Sequence, residues 1–327
     1  MSYDKSVLVP VDIDTAFQLI TQPDRLRRWK TVAARVDLRV GGKYRWTIVP
    51  GNSVAGSFTE VEPGKRVVFT WGWEGSPDLP PGASTVTVTL EPTEGGTTVR
   101  LVHDGLNDAQ EASHAEGWDH YLERLVTEAT TGDARPDPWD AVPADLDELS
   151  CAEATLAGMQ RVLRGVTEAD RDNHTPCTEF TVSRLTDHIV GGLTGLGAMA
   201  GGSMQSAQPA AAAPVESRIA DVAQQVLESW RARGLEGTVP FGESEIPATT
   251  AAGILSVEFL VHGWDFAMAT DQPFPVSDEV AEYVLELARR VISPSSRAGG
   301  NFADEVPVGP GADALERLIA FTGRKPG

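Results

Sequence analysis

"SVEFLVHGWDFAMAT", residues 256–270, decides how the second half of the chain is read. Ile254, Leu255, Val257, Phe259, Leu260, Val261, Trp264 and Phe266 cover most of a helical circumference, so a helix here is buried nearly all round. Glu258, His262 and Asp265 interrupt that surface at i, i+4 and i+7, which places them on one face. An unpaired carboxylate among apolar side chains costs roughly several kcal/mol or is forced to protonate. Something must compensate it. Either Glu258 and His262 pair with each other or with a neighbouring helix, or the stripe is part of a metal site. His188 favours the second. In "SRLTDHIVGG" it stands beside the apolar positions Val182, Leu185 and Ile189 and is expected to point inward or nearly so. Two histidines and a carboxylate drawn from two helices suit a divalent cation, with one vertex left for water or substrate. Asp265 then either holds an imidazole from behind or bonds the backbone near Gly263.

The remainder of that half is helical in pattern. Leu149, Ala152, Leu156, Met159 and Leu163 form one stripe, and Val215, Ile219, Val222, Val226 and Trp230 another. Val280, Val284, Leu287 and Val291 mark a helix from about Ser277. "EFTVSRLTDHIVGGL" is expected to be a helix capped by Thr181, and "MAGGSMQSAQPAAAAP" a surface loop. Together these predict a helical bundle. The first 130 residues read differently. Two short helices, "DTAFQLIT" and "PDRLRRW", precede strands such as "GKYRWTIVP", "RVVFTWGW", "STVTVTLEP" and "TTVRLVHDG", separated by Gly-Gly and Pro-Gly turns. A long helix follows, over residues 111–130, with Trp118, Tyr121, Leu122 and Leu125 at helical spacing. The fold class is α+β: a sheet-and-helix domain over residues 1–130, a proline-rich linker over 131–144 ("TGDARPDPWDAVP"), and a helical domain over 145–327 with a short C-terminal tail.

Composition narrows the function. Hydrophobic content of 41% with 23% charged residues belongs to a chain able to bury a core. No apolar run approaches the ~18–20 residues that span a bilayer, and the opening "MSYDKSVLVP" lacks a basic stretch followed by an apolar core. With only Cys151 and Cys177, no disulfide framework is expected, and a cytoplasmic protein with reduced thiols fits. The net charge is -20; divided after Asp140, the two parts hold 14 basic with 21 acidic residues and 13 with 26. Neither part offers a basic face, so nucleic acid and anionic membrane are excluded as expected partners. Of the other histidines, His103, His114, His120 and His174 are expected in solvated or structural roles. Cys177 is either a further ligand or a small buried hydrophobe.

From about residue 146 to 325 the chain resembles the actinobacterial DinB-like proteins related to mycothiol-dependent maleylpyruvate isomerase. The motifs are "TPCTEFTVSRLTDHIVGG", "GTVPFGESEIPATTAAGILSVEFLVHGWDFAMATDQ" and "EVPVGPGADALERLIAFTGRKP". The resemblance implies a four-helix bundle with a metal at one end, and its ligand pattern falls on His188, Glu258 and His262. Zinc is the expected ion, and nickel and iron also suit such ligands. Mycothiol or another low-molecular-weight thiol is the implied co-substrate. The isomerase proper has a further C-terminal domain, where this sequence has a short tail after Arg297.

Residues 5–127 resemble the SRPBCC superfamily, in the branch related to the activator of heat-shock-protein-90 ATPase. "VPVDIDTAFQLITQPDRLRRWKT", "DLRVGGKYRW", "GSFTEVEPGKRVVFTW", "STVTVTLEP" and "HAEGWDHYLERL" carry the likeness. It implies a helix-grip fold that closes a curved sheet around an apolar cavity. Trp29, Trp46, Phe58, Phe69, Trp71 and Trp118 are candidates for the cavity wall or the core. The expected activity is metal-dependent thiol transfer, hydrolysis or isomerisation of a small electrophile, with a hydrophobic molecule bound in the first domain. The alternative is a small-molecule sensor or carrier whose bundle holds a structural metal. DinB-like bundles often dimerise, so a homodimer is a further expectation.

Overall fold

From Ser84 to Leu90 the chain alternates, and the structure follows it: Ser84, Val86, Val88 and Leu90 face inward, while Thr85, Thr87 and Thr89 are half-buried. This strand is paired on both edges, within a sheet of seven strands. In the computed structural model these are β1 (Tyr3–Val9), β2 (Ala33–Val36), β3 (Lys43–Val49), β4 (Asn52–Glu62), β5 (Arg66–Trp71), β6 (Ser84–Thr93) and β7 (Gly96–Asp104). They form one antiparallel sheet in the order β1-β7-β6-β5-β4-β3-β2. Between β1 and β2 run α1 (Ile13–Thr21) and α2 (Pro23–Trp29), and α3 (Asp108–Thr131) follows β7. Asn107 and Gln110 cap α3 reciprocally, and Gly132, at φ 75°, ends it. Trp118, Tyr121, Leu122 and Leu125 are the buried face of α3, packed in one core with Trp46, Phe58, Phe69 and Trp71 of the sheet.

The structure describes residues 2–139, 142, 146–203, 213–242, 244–298 and 302–326. The chain divides into two compact units, Met1–Ala141 and Val142–Gly327. Part of the expected linker, and residues 204–212 of the expected loop, lie outside the described residues. The described start of that linker packs on the first unit. Asp137 accepts a 2.8 Å hydrogen bond from His120, and Trp139 stacks on His120 with ring centroids 4.0 Å apart.

The second unit contains α4 (Glu148–Gly165), α5 (Val182–Met199), α6 (Val215–Arg233), a hairpin of β8 (Thr238–Phe241) and β9 (Ser244–Pro247), α7 (Ala248–Ala269), α8 (Asp278–Val291), α9 (Pro294–Ala298) and α10 (Ala314–Phe321). Helices α4 to α7 pack against one another as a bundle, with α8 laid on α7 and α10 on α8. Thr181 caps α5 by accepting from the Arg184 amide. The hairpin was not legible in "TVPFGESEIP", where prolines mask the strand signal. The tail after Arg297 is more than a tail. Leu318 of α10 joins the core formed by Val257, Val261 and Val284. On α7, a Cβ at Gly263 would sit 2.8 Å from the Phe274 ring, so glycine admits that close approach.

Candidate metal centre

Helix α7 is apolar on nearly every side, and its exposed surface is confined to a few residues. His262 and Asp265 are buried within it, while the Glu258 side chain keeps 20% of its exposure. Glu258 and His262 are one turn apart, and their Oε2 and Nε2 atoms stand 3.5 Å from each other. Across from them, His188 on α5 brings its Nε2 to 3.9 Å from the same Glu258 oxygen. One donor atom from each of the three residues lies within 4.8 Å of the other two.

His188 reaches the cluster from its open side, with its side chain 41% exposed. It lies on the flank of the α5 stripe, since Leu185 and Ile189 occupy the buried positions on either side. Its ring is held by stacking on Phe180 (centroids 4.9 Å, planes at 28°) and meets the His262 ring edge-on at 5.2 Å. The cluster therefore has a buried wall, made by α7, and a side open to water.

Asp265 completes that wall. It is fully buried, and its Oδ2 lies 2.8 Å from His262 Nδ1. Arg324, in the segment following α10, grips the same carboxylate with two bonds of 2.8 and 2.7 Å. Burial alone would raise the Asp265 pKa, but the hydrogen bonds from His262 and Arg324 outweigh it and hold the group below the usual carboxylate range. An ionised carboxylate only accepts, so Nδ1 of His262 donates to Asp265 while its Nε2 faces Glu258. Burial, with smaller contributions from the neighbouring His262 and Arg324, also lowers the His188 pKa against the opposing pull of Glu258. A neutral imidazole is the result.

The consequence is an unmet acceptor. Glu258 Oε2 is buried, and no described residue donates to it. Two imidazole nitrogens and this carboxylate oxygen converge there without a hydrogen bond between them, an arrangement that a divalent cation resolves. The donor set, two imidazoles and one carboxylate, fits zinc, nickel or iron. Cys177 stands outside this cluster, and burial pushes its thiol pKa up. Arg324 was missed by sequence reasoning; the basic residue in "FTGRKP" was the available signal.

A second concave site lies in the first unit. Its cavity of about 260 Å³ is lined by Trp71, Trp73, His114, Trp118, Tyr121 and Trp139, among others, with Lys30 also on its wall. Trp71 and Trp118 were expected there. Trp29, Trp46 and Phe69 line only an adjoining crevice of about 20 Å³. Phe58 lines neither, because it is spent on the core against Tyr44 and Phe69. The nearby histidines bond to their neighbours. His103 is buried between Ser84 and the Trp118 indole N–H, and burial, helped by His114 and Lys30, pushes its pKa down to about 3. His114 accepts from the indoles of Trp71 and Trp73. Among the described residues no helix is long and apolar enough to cross a membrane.

Comparison with known proteins places each unit. Residues 10–130 match the family described as Activator of Hsp90 ATPase homolog 1-like protein, and residues 152–267 match the mycothiol maleylpyruvate isomerase N-terminal domain. A Mycobacterium tuberculosis relative, itself described as uncharacterized, is 29% identical over 181 residues, covering 55% of this chain and 98% of its own. A crystal structure of DynU16, from a dynemicin biosynthetic locus, is 24% identical with a TM-score of 0.38, and the match covers 42% of this chain and half (50%) of that one. The Aha1 dimer from Colwellia psychrerythraea is 19% identical with a TM-score of 0.37, over 40% of this chain and 98% of that one. The chain thus carries, in that order, a segment that matches the Activator of Hsp90 ATPase homolog 1-like family and one that matches the mycothiol maleylpyruvate isomerase N-terminal domain.

Proposed function

We propose that the second unit is a metal-dependent enzyme centre acting on a small electrophile, and that the first unit binds a small hydrophobic molecule in its cavity. The observation that carries the first half is the buried Glu258 Oε2, which has no donor among the described residues and has an imidazole nitrogen 3.5 and 3.9 Å away on two sides. His188, Glu258 and His262 would hold the ion. When bound, a divalent cation acts as a Lewis acid that makes a thiol or water anionic near neutral pH. The rest is the work of the chain's own residues. Asp265 fixes the His262 ring and keeps the proton on Nδ1, so Nε2 stays available. Arg324 balances the charge of Asp265 and keeps that carboxylate an acceptor. Phe180 orients the His188 ring at the solvent-facing edge, which is where a substrate arrives. Glu258 supplies the single negative charge of the set.

The thiol of this reading is mycothiol or a similar low-molecular-weight thiol, in keeping with the name of the family matched by residues 152–267. The metal is zinc, with nickel and iron as alternatives. Incubating the protein with a thiol and a panel of small electrophiles tests the reading by mass spectrometry. Expected is conjugate or isomerised product that disappears after treatment with a chelator and returns with Zn²⁺. Turnover indifferent to chelation overturns the metal-centred mechanism. A second reading, a carrier or sensor with a structural metal, draws on the aromatic cavity of the first unit. Thermal stabilisation by an apolar ligand, unaffected by chelation and unaccompanied by turnover, supports that one instead.

A further inference from the structure

Lys30 follows directly on α2, and its side chain runs into the core of the first unit, where only 5% of the residue remains exposed. A buried ammonium ordinarily has a carboxylate beside it. Lys30 has none: among the described residues its Nζ has neither a hydrogen bond nor an ion pair. What surrounds it is aromatic. Nζ lies 3.9 Å from the Trp118 ring centre, 4.8 Å from Trp46, 5.0 Å from Trp71 and 5.9 Å from Trp29. Four π faces attract a cation but cannot neutralise it or accept its N–H groups. The same residue lines both the 260 Å³ cavity and the crevice beside it. Trp46, on the crevice wall, adds a second buried donor, an indole N–H with no described acceptor. Two donors are therefore left without acceptors around a cavity whose walls are otherwise mostly aromatic and aliphatic.

We propose that this cavity takes a small apolar monocarboxylate whose carboxylate pairs with Lys30 while its ring or chain lies against Trp71, Trp73 and Trp118. The inference rests on the cavity being a ligand site and adds the ligand's chemical class. Its size, near the lower end of the ~300–1,000 Å³ usual for ligand pockets, suits a molecule of one or two rings. Burial lowers the Lys30 pKa well below that of a free lysine, as follows for a cation lacking its counter-ion. A bound carboxylate supplies that counter-ion. The acid's own charge is desolvated only beside the ammonium with which it pairs. No covalent step is needed.

Isothermal titration of the full chain with matched pairs tests this: benzoate against benzamide, 1-naphthoate against 1-naphthamide, and hexanoate against hexanamide. At least one acid is expected to bind about tenfold or more tightly than its amide, the range for a hydrogen bond to a charged group. Lys30→Met, checked for retained fold by circular dichroism, is expected to erase the preference while keeping the amide's affinity. The comparison of acid with amide on the unaltered chain stands even if the variant does not fold. Equal binding of acid and amide overturns the Lys30 pairing and leaves the cavity as a ligand site. No binding by any member of the three pairs overturns both.

Discussion

Asp265 and Lys30 are each taken out of water, one in each unit, and the chain treats them in opposite ways. Asp265 receives two bonds from Arg324 and one from His262, so its charge is fully answered within the fold. Lys30 receives four indole rings and no anion. Glu258, two turns before Asp265 on the same helix, resembles Lys30 more than its neighbour, since one of its oxygens is buried without a donor. The contrast separates structure from site. A buried charge that the fold answers holds elements together, and one left unanswered marks where something from outside belongs.

The paired side of this comparison has the largest expected effect. Arg324→Ala removes the partner of a fully buried carboxylate and is predicted to cost about 3–5 kcal/mol in chemical denaturation of the second unit. A loss below ~1 kcal/mol would show that Asp265 is answered by His262 alone. The neutral histidine of the first unit gives a smaller effect with a defined pH sign. His103 has its pKa lowered from 6.5 to about 3, so the unfolded chain takes up a proton that the folded one refuses. Its contribution to stability is complete above pH 6.5 and drains away as the pH falls toward 3. Between pH 7 and pH 4 the cost of His103→Gln should therefore shrink by roughly 3 kcal/mol, read from denaturation midpoints at the two pH values. A cost independent of pH breaks the account of that residue.

The comparison also explains what could be read in the sequence. The stripe Glu258, His262 and Asp265 was legible because helical spacing puts polar residues on one face whatever surrounds them. The strands and α3 were legible for the same reason, each having one covered face. Long-range partners were not. Arg324 is 59 residues from Asp265, and no local pattern announces that a basic residue after α10 will turn into the bundle. Lys30 reads as one more charge in "RLRRWKT", where Trp29 is adjacent but the other three indoles around it lie far away in the sequence. His188 was found by its position beside an apolar stripe, but its exposure depends on how α5 meets α7, which spacing does not encode. Phe58 and Trp71 look alike as large aromatic residues of neighbouring strands, yet only Trp71 reaches the main cavity. Which aromatic ring lines a void is settled by packing across the sheet, not by its order along the chain.

Everything proposed for the second unit turns on whether His188, Glu258 and His262 bind an ion. Elemental analysis by inductively coupled plasma mass spectrometry, after loading with Zn²⁺ and exhaustive dialysis, measures this on the full chain. About one divalent ion per chain is predicted for the unaltered protein, and a fall to near zero for His262→Ala. Metal content that is the same in both proteins, or absent from both, would contradict it.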